Sequence, residues 1–285
     1  MQKLFICTDL DRTLLPNGKQ AESPEARSIF ARLVGRPEVR LAYVSGRNLS
    51  LVQEVIQEYS LPSPDFIVGD VGSTIYHFNG DIWQYYQNWS QEIAADWQGL
   101  NSIDLQPLFT DVVDISHLTL QEFDKQNRFK LSYYLPLDLN NQALQDCMNL
   151  RLQEQKIAAS LIYSVDEAKG VALLDILPAS ATKFHAVEFL RCQLGFDYSN
   201  TLFAGDSGND LPVLVSDVPS ILVANAHEDI IKKAQLQTQL QGNMSSFYLA
   251  KGGFLGMNGN YSAGILEGIA YYHPCLLYTS DAADE

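Results

Sequence analysis

The spacing of apolar positions changes in a regular order along the chain, and that order predicts the fold. Leu4-Phe5-Ile6 is a continuous apolar run, as in a strand buried on both faces of a parallel sheet. Ser23-Pro24-Glu25 then reads as a helix start with proline in the first turn. A second strand, Val39–Val44, leads into Ser45-Gly46-Arg47, after which Ser50 and Gln53 form a capping-box pattern. Leu51, Val52, Val55, Ile56 and Tyr59 recur at helical spacing and make one apolar stripe. Asp65–Val68 is a third strand, followed by Gly69-Asp70-Val71-Gly72 and the β-rich Ser73–Phe78. Strand and helix in alternation imply a parallel sheet.

At Asn79-Gly80-Asp81, a turn signal, the regime changes. A helix over Gln91–Leu100, a strand over Phe129–Leu135, a helix over Asn140–Gln155 and strands over Ile157–Ser164 and Val171–Leu177 describe a small α+β domain inserted into the first. Trp83, Trp89 and Trp97, with Tyr85 and Tyr86, group with this insert. Alternation resumes at Thr182, which caps a helix carrying Phe184, Val187, Phe189, Leu190 and Leu194. Thr201–Ala204 is a buried strand ending in Gly205-Asp206-Ser207-Gly208-Asn209-Asp210. Ser220–Ala224 is another strand, and a helix starts near Glu228. The glycine-rich Lys251–Gly259 matches no phosphate-loop spacing and reads as a flexible loop, while Tyr261–Tyr272 reads as an amphipathic helix. Residues 275–285 have no periodicity and read as a non-native or disordered tail.

Composition narrows the function. A chain of 285 residues with 46% hydrophobic residues is long enough for about two domains with a buried core. Its net charge of −15 repels phosphate backbones and argues against a nucleic-acid or anionic-membrane surface. A small anionic substrate would need a local cation cluster or a metal. Cys7, Cys147, Cys192 and Cys275 are scattered without metal-ligand spacing, as reduced thiols of a cytoplasmic protein are. No apolar run approaches the ~20 residues that span a bilayer, and the N-terminus has no signal-peptide pattern.

The candidate chemistry lies where strands end. Asp9 and Asp11 stand one residue apart after the first strand, and strand alternation sends both to one side. Their charges repel unless a cation or a protonation difference separates them. An Asx-rich turn would account for these two alone. Ser45-Gly46-Arg47, the Thr182-Lys183 helix start and Asp206 through Asp210 change that balance, since strand ends of a parallel sheet converge on one crevice. Four carboxylates with a hydroxyl and a lysine suit phosphoryl transfer, with hard oxygen ligands for Mg²⁺. Lys183, at a helix N-terminus, adds to anion binding.

Asp9-Leu10-Asp11-Arg12-Thr13, Ser45-Gly46-Arg47, Lys183 and Gly205–Asp210 resemble, in order, the four motifs of the haloacid-dehalogenase-like phosphatases. The resemblance implies an α/β architecture: a Rossmann-like doubly wound parallel sheet core (1–78 and 178–273) and an α+β cap domain (79–177) inserted between the second and third motifs. It implies roles as well. Asp9 would be the nucleophile that forms an aspartyl-phosphate, and Asp11 the acid that protonates the leaving alkoxide and then activates water. Ser45 and Lys183 would hold the phosphoryl oxygens, with Thr13, Gly46 and Arg47 in the phosphate and substrate site and Asn209 supporting the phosphate or Lys183. Asp9, the Asp11 carbonyl and Asp206 would ligate Mg²⁺, with Asp210 behind them or acting through water. Arg12 replaces the glycine common at its position, which bears on substrate access more than on chemistry.

Too few residues separate Asp11 from Ser45 for a capping helix pair, whereas the segment between Arg47 and Lys183 holds the insert, as in sugar phosphatases with a large mobile cap. Gly72-Ser73-Thr74-Ile75-Tyr76, Lys130-Leu131-Ser132-Tyr133, Asp175-Ile176-Leu177-Pro178 and Ala263-Gly264-Ile265-Leu266-Glu267 are similar to segments of the sucrose-phosphate phosphatase family, and also to the mannosylfructose-phosphate phosphatases. The implied reaction is Mg²⁺-dependent hydrolysis of sucrose 6-phosphate to sucrose and phosphate, with mannosylfructose phosphate as the other substrate and an association with a sugar-phosphate synthase left open. Two rivals stand beside it: phosphoryl transfer to a second sugar, disfavoured by the position of the insert, and a non-catalytic sugar-phosphate sensor, disfavoured by the intact Asp9/Asp11 pair.

Weaker signals keep two readings each. Lys130 and Ser132, two apart on a strand, form either a sugar-hydroxyl site or an exposed polar face. The tryptophans fill the insert's core or stack on a sugar. Arg47 contacts substrate or braces the second motif. His77 and His185 fit surface or packing roles, and Tyr76 and Asp175 are placed as hinge residues at the insert's boundary.

Overall fold

The structure, a computed structural model, describes residues 3–166 and 170–278. Its strands in chain order are β1 (Leu4–Thr8), β2 (Val39–Val44), β3 (Phe66–Gly69), β4 (Thr74–Phe78), β5 (Trp83–Tyr85), β6 (Thr119–Leu120), β7 (Leu131–Leu135), β8 (Ala159–Asp166), β9 (Val171–Pro178), β10 (Thr201–Gly205), β11 (Ser220–Leu222) and β12 (Phe247–Leu249). The described residues divide into two compact units. One runs to Tyr85 and resumes at Lys183; the other is Tyr86–Thr182.

The first unit is built on a sheet ordered β12-β11-β10-β1-β2-β3-β4-β5. From β12 to β3 every neighbour is parallel, whereas β4 and β5 are antiparallel. All five residues of β1 are buried, which explains its unbroken apolar run. Alternation divides them between the faces. Leu4 and Ile6 join a core with Phe30 and Leu33 of the helix Ala26–Val34, Val52 and Val55 of the helix Leu49–Glu58, and Ile265, Leu266 and Ile269 of the helix Ser262–Tyr272. Phe5 points the other way and stacks on Phe196, with ring centroids 5.3 Å apart. The chain leaves β1 toward β2 on one side and returns as β10 on the other, so the strand order reverses between β1 and β10. That reversal is where an open α/β sheet makes its ligand crevice.

Asn79-Gly80-Asp81 is a hairpin turn within the first unit rather than the start of the insert: Trp83 on β5 pairs with Phe78 on β4 and packs partly buried against the first unit's core. Asn48 caps the helix Leu49–Glu58, accepting from the Leu51 N–H at 3.0 Å, so the Ser50/Gln53 capping box does not form. The helix Ser262–Tyr272 is buried on every side from Ser262 to Ile269 and is not amphipathic. The glycine-rich segment is pinned rather than loose. The buried Glu267 carboxylate accepts from the backbone N–H groups of Lys251 (2.9 Å) and Gly252 (2.8 Å), and the side chains of Asn258 and Asn260 both donate to the Ala21 carbonyl. Pro274–Tyr278 form a short helix whose Leu276 carbonyl accepts from Arg36 at 2.6 Å, so this part of the tail has partners in the fold. Residues 279–285 lie outside the described residues.

The second unit carries an antiparallel sheet ordered β6-β7-β9-β8. The helix Asn141–Glu154 buries Leu144, Met148 and Leu152 at helical spacing. The predicted helix over Gln91–Leu100 forms earlier, as Gln87–Ala94. Trp89 and Trp97 are fully buried, and Trp97 meets Phe129 edge-on at 6.0 Å, so both belong to this unit's own core. Tyr76 and Asp175 sit within strands, opposite Tyr85 and Ser132 respectively, which is not a hinge geometry.

Candidate active site

β1 ends at Thr8, and the Asp9 N–H continues its ladder by donating to the Ala204 carbonyl of β10 at 2.9 Å. This places Asp9 beside the polar segment that follows β10. Gly205, the last residue of β10, has no side chain because Asp210 folds back onto it: a Cβ there would lie 2.6 Å from the Asp210 Cγ. From that position Asp210 Oδ2 accepts from the backbone N–H groups of Asp206 and Ser207 and from the Ser207 hydroxyl, each at 3.1 Å. Its other oxygen, Oδ1, accepts from Lys183 Nζ at 2.8 Å.

Lys183, the first residue of the helix Lys183–Leu194, also donates to Asp9 Oδ1 at 2.7 Å. Its side chain is only 1% exposed, and although burial opposes the charge, the carboxylates of Asp210 and Asp9 hold it protonated well above the ordinary lysine range. Thr13 donates its hydroxyl to Asp9 Oδ2 (3.2 Å) and is within 3.4 Å of Asp206 Oδ1. Burial pushes Asp9 up to about 7, Asp210 adding to the effect while Lys183 opposes it. Asp206 is pushed up to about 6 by burial and then by the charge of Asp210.

Asp11 has the opposite environment. Burial acts upward, but Arg47 donates Nε to Oδ2 at 2.8 Å and Nη2 to Oδ1 at 2.7 Å, and Asn17 donates Nδ2 to Oδ1 at 2.7 Å. The net effect lowers its pKa below the usual carboxylate value. Asp9 and Asp11 do not repel across one face of a strand as alternation predicts, because β1 has ended and Arg47 takes up the charge of Asp11.

The second motif is held by the backbone. Ser45, buried at the end of β2, donates its N–H to Val68 at 2.8 Å, and its Oγ accepts from the Arg47 N–H at 3.2 Å. Asp70 and Val71, both left-handed at φ 51° and 60°, send their N–H groups to the carbonyls of Arg47 and Ser45. That explains the polar Gly69–Gly72 stretch: it supports the loop carrying Ser45, Gly46 and Arg47.

Asp9, Asp11, Arg12, Gly46, Arg47, Asp206 and Asn209 line one cleft of about 390 Å³ in the first unit, over the buried Lys183 and Asp210. Arg12 reaches Asp206 Oδ2 with Nε at 3.4 Å. Carboxylate oxygens of Asp9, Asp206 and Asp210 lie within 4.8 Å of one another. Three buried donors that are all carboxylate oxygen fit a hard divalent cation. Asp210 already accepts from four donors, whereas Asp9 Oδ2 and Asp206 Oδ1 face the Thr13 hydroxyl at 3.2 and 3.4 Å, so Asp9 and Asp206 are the better placed to ligate one.

Lys130 and Ser132 lie in the second unit and are buried rather than on an exposed face. Asp175 on β9 joins them: it accepts from the Ser132 hydroxyl and has Lys130 Nζ at 3.8 Å. Sequence reasoning passed over this use of Asp175, although a carboxylate inside a strand otherwise made of Val, Ala, Leu, Ile and Pro is a visible signal. It also passed over Asn17, which Pro16-Asn17-Gly18 marks only as a turn. His77 and His185 lie outside the cleft lining.

The profile of the sucrose-6F-phosphate phosphohydrolase family matches residues 2–273. A protein of Nitrosococcus oceani described as a HAD-like hydrolase is 53% identical over 273 residues, covering 96% of this chain and 72% of its own length. Sucrose-phosphatase 1 of Nicotiana tabacum is 29% identical over 245 residues, 81% of this chain; the chain spans only 52% of that protein. The X-ray structure of a Synechocystis sucrose-phosphatase in complex with sucrose and phosphate superposes with a TM-score of 0.69 at 25% identity, covering 95% of this chain and 98% of that one. Among the described residues no helix is long and apolar enough to cross a membrane.

Proposed function

Because the chain belongs to the sucrose-6F-phosphate phosphohydrolase family, phosphoric monoester hydrolases of haloacid-dehalogenase-like fold, we propose that it hydrolyses sucrose 6-phosphate to sucrose and phosphate with Mg²⁺. The observation that carries this reading is the contrast between two carboxylates one residue apart. Asp9 is buried against Lys183 beside Asp206 and Asp210, whereas Asp11 is held by Arg47 and Asn17 at the cleft. Different environments for two acids mark different roles.

Asp9 is the nucleophile: its carboxylate oxygen attacks phosphorus and the bond to the sugar oxygen breaks, leaving an aspartyl-phosphate. Asp11 gives a proton to the departing alkoxide, then takes one from the water that attacks phosphorus and frees Asp9. The pair with Arg47 stabilises the base form that the second step needs; for the first step that pair must yield as Asp11 takes up a proton. Lys183 and Ser45 offset the charge of the transferring group, and Thr13, Gly46, Arg47 and Asn209 surround it. Asp9, Asp206 and the Asp11 carbonyl would hold Mg²⁺, with Asp210 fixed behind them, and the ion would supply positive charge to offset that of the phosphoryl oxygens beside the acidic cluster.

Lys130 and Ser132, with Asp175, are the proposed sugar contacts of the second unit, which would act as the specificity domain. The scattered positions of Cys7, Cys147, Cys192 and Cys275, without metal-ligand spacing, support a reducing, cytoplasmic setting. Association with a sugar-phosphate synthase is part of the proposal and is tested by co-purification. The mechanism is tested by acid-quenching the protein during turnover: the peptide containing Asp9 should gain the mass of one phosphoryl group, and no labelled peptide would contradict the covalent route.

A further inference from the structure

Asn225 lies just past the end of β11, at a strand end that none of the four motifs includes. Its side chain is buried, 3% exposed, and both of its ends are used. Oδ1 accepts from the Tyr261 N–H at 2.8 Å, and Nδ2 donates to the Arg12 carbonyl at 2.6 Å. Its own carbonyl is 3.4 Å from Arg12 Nη2. The residue gripped in this way is left-handed: Arg12 has φ 61°, a conformation disfavoured for a side chain relative to glycine by roughly 5- to 30-fold. On its other side the Arg12 N–H donates to Asn17 Oδ1 at 2.8 Å, and Asn17 in turn donates to Asp11.

The dihedral at Arg12 sets the plane of the peptide joining it to Asp11. If Arg12 relaxed to negative φ, that peptide would turn and carry the Asp11 carbonyl and carboxylate with it. Strain of this kind persists only where the surroundings over-determine it. We propose that Asn225 is a positioning residue: by holding the Arg12 carbonyl it keeps Arg12 left-handed, and thereby keeps Asp11 aimed at the leaving oxygen. The proposal rests on the reading of Asp11 as the acid, and it explains how an arginine works at a position that suits glycine.

The test is kcat/KM at saturating Mg²⁺ for the unsubstituted protein, Asn225→Ala, Arg12→Gly and the double variant, on sucrose 6-phosphate and on 4-nitrophenyl phosphate. In the Arg12 background Asn225→Ala should lower kcat/KM for the sugar phosphate by roughly 5- to 30-fold, the cost of the left-handed conformation. In the Arg12→Gly background it should cost no more than about 2-fold, because glycine holds that conformation unaided. The aryl phosphate, whose leaving group needs little protonation, should lose less than the sugar phosphate. Equal costs in the two backgrounds, or equal losses on the two substrates, would overturn the proposal. Should Asn225→Ala fail to fold, Asn225→Asp keeps the acceptor for Tyr261, removes the donor to Arg12, and is read by the same criteria. An unsubstituted protein that releases phosphate from neither substrate overturns the phosphatase reading itself, and this inference with it.

Discussion

Replacing Lys183 by methionine tests the electrostatics on which the site depends. The substitution keeps most of the buried stem and removes only the ammonium. In its place two carboxylates, Asp9 and Asp210, now 2.7 and 2.8 Å from Nζ, are left facing each other in a setting where the lysine side chain was 1% exposed. Removing one partner of a buried ion pair costs about 3–5 kcal/mol, because the remaining charge stays desolvated. We expect Lys183→Met to lose about 4 kcal/mol at pH 8 in EDTA, read by scanning calorimetry as a fall of roughly 10 °C in Tm. The deficit should shrink at lower pH. Burial already holds Asp9 at about 7, above its unfolded value, so its contribution to stability is fully present below the unfolded pKa and is lost as pH rises through about 7. Without Lys183 that pKa rises further, and protonation at pH 5 relieves most of the repulsion. A Tm within 2 °C of the unsubstituted protein at pH 8, or a deficit that does not change between pH 5 and 8, would refute the reasoning; the threshold is about the shift that 1 kcal/mol produces.

Other outcomes follow from the same geometry. The rise in Tm on adding Mg²⁺ should grow from pH 5 to pH 8, because protons on Asp9 (about 7) and Asp206 (about 6) compete with the cation; a rise independent of pH would count against these two as ligands. Gly205→Ala should displace Asp210, whose Cγ lies 2.6 Å from the added Cβ, destabilising the protein by about 1–3 kcal/mol and lowering kcat; unchanged calorimetry and kinetics would contradict that packing. Lys130→Ala should raise KM for the sugar phosphate about 10-fold or more while leaving 4-nitrophenyl phosphate nearly unaffected, and a parallel loss on both would remove Lys130 from the sugar site.

Three of the four motifs are legible because each is an abrupt change from buried apolar residues to oxygen and nitrogen donors, as at Ile6–Asp9 and Ala204–Asp206, whereas Lys183 opens a helix and is legible only as a helix start. Sheet order is harder to read locally. The Asn79-Gly80 turn has the same residues whether it closes a hairpin or opens a new domain, and only the pairing of Trp83 with Phe78 decides. The clasp of Lys251 and Gly252 by Glu267 and the grip of Asn225 on Arg12 join residues distant in sequence whose own neighbours give no sign of partnership. The left-handed Arg12 is half visible: the sequence shows an arginine where glycine is common, but not the backbone conformation that makes glycine suitable there.

Phosphate release with Mg²⁺ from sucrose 6-phosphate, mannosylfructose phosphate, trehalose 6-phosphate and glucose 6-phosphate, with Asp9→Asn as the control, decides whether the protein is a sucrose 6-phosphate hydrolase. We expect strong preference for sucrose 6-phosphate, abolished in Asp9→Asn. Preference for mannosylfructose phosphate would keep the chemistry and change the sugar. Tight binding of these compounds with no release from any would contradict the account and identify a sugar-phosphate sensor.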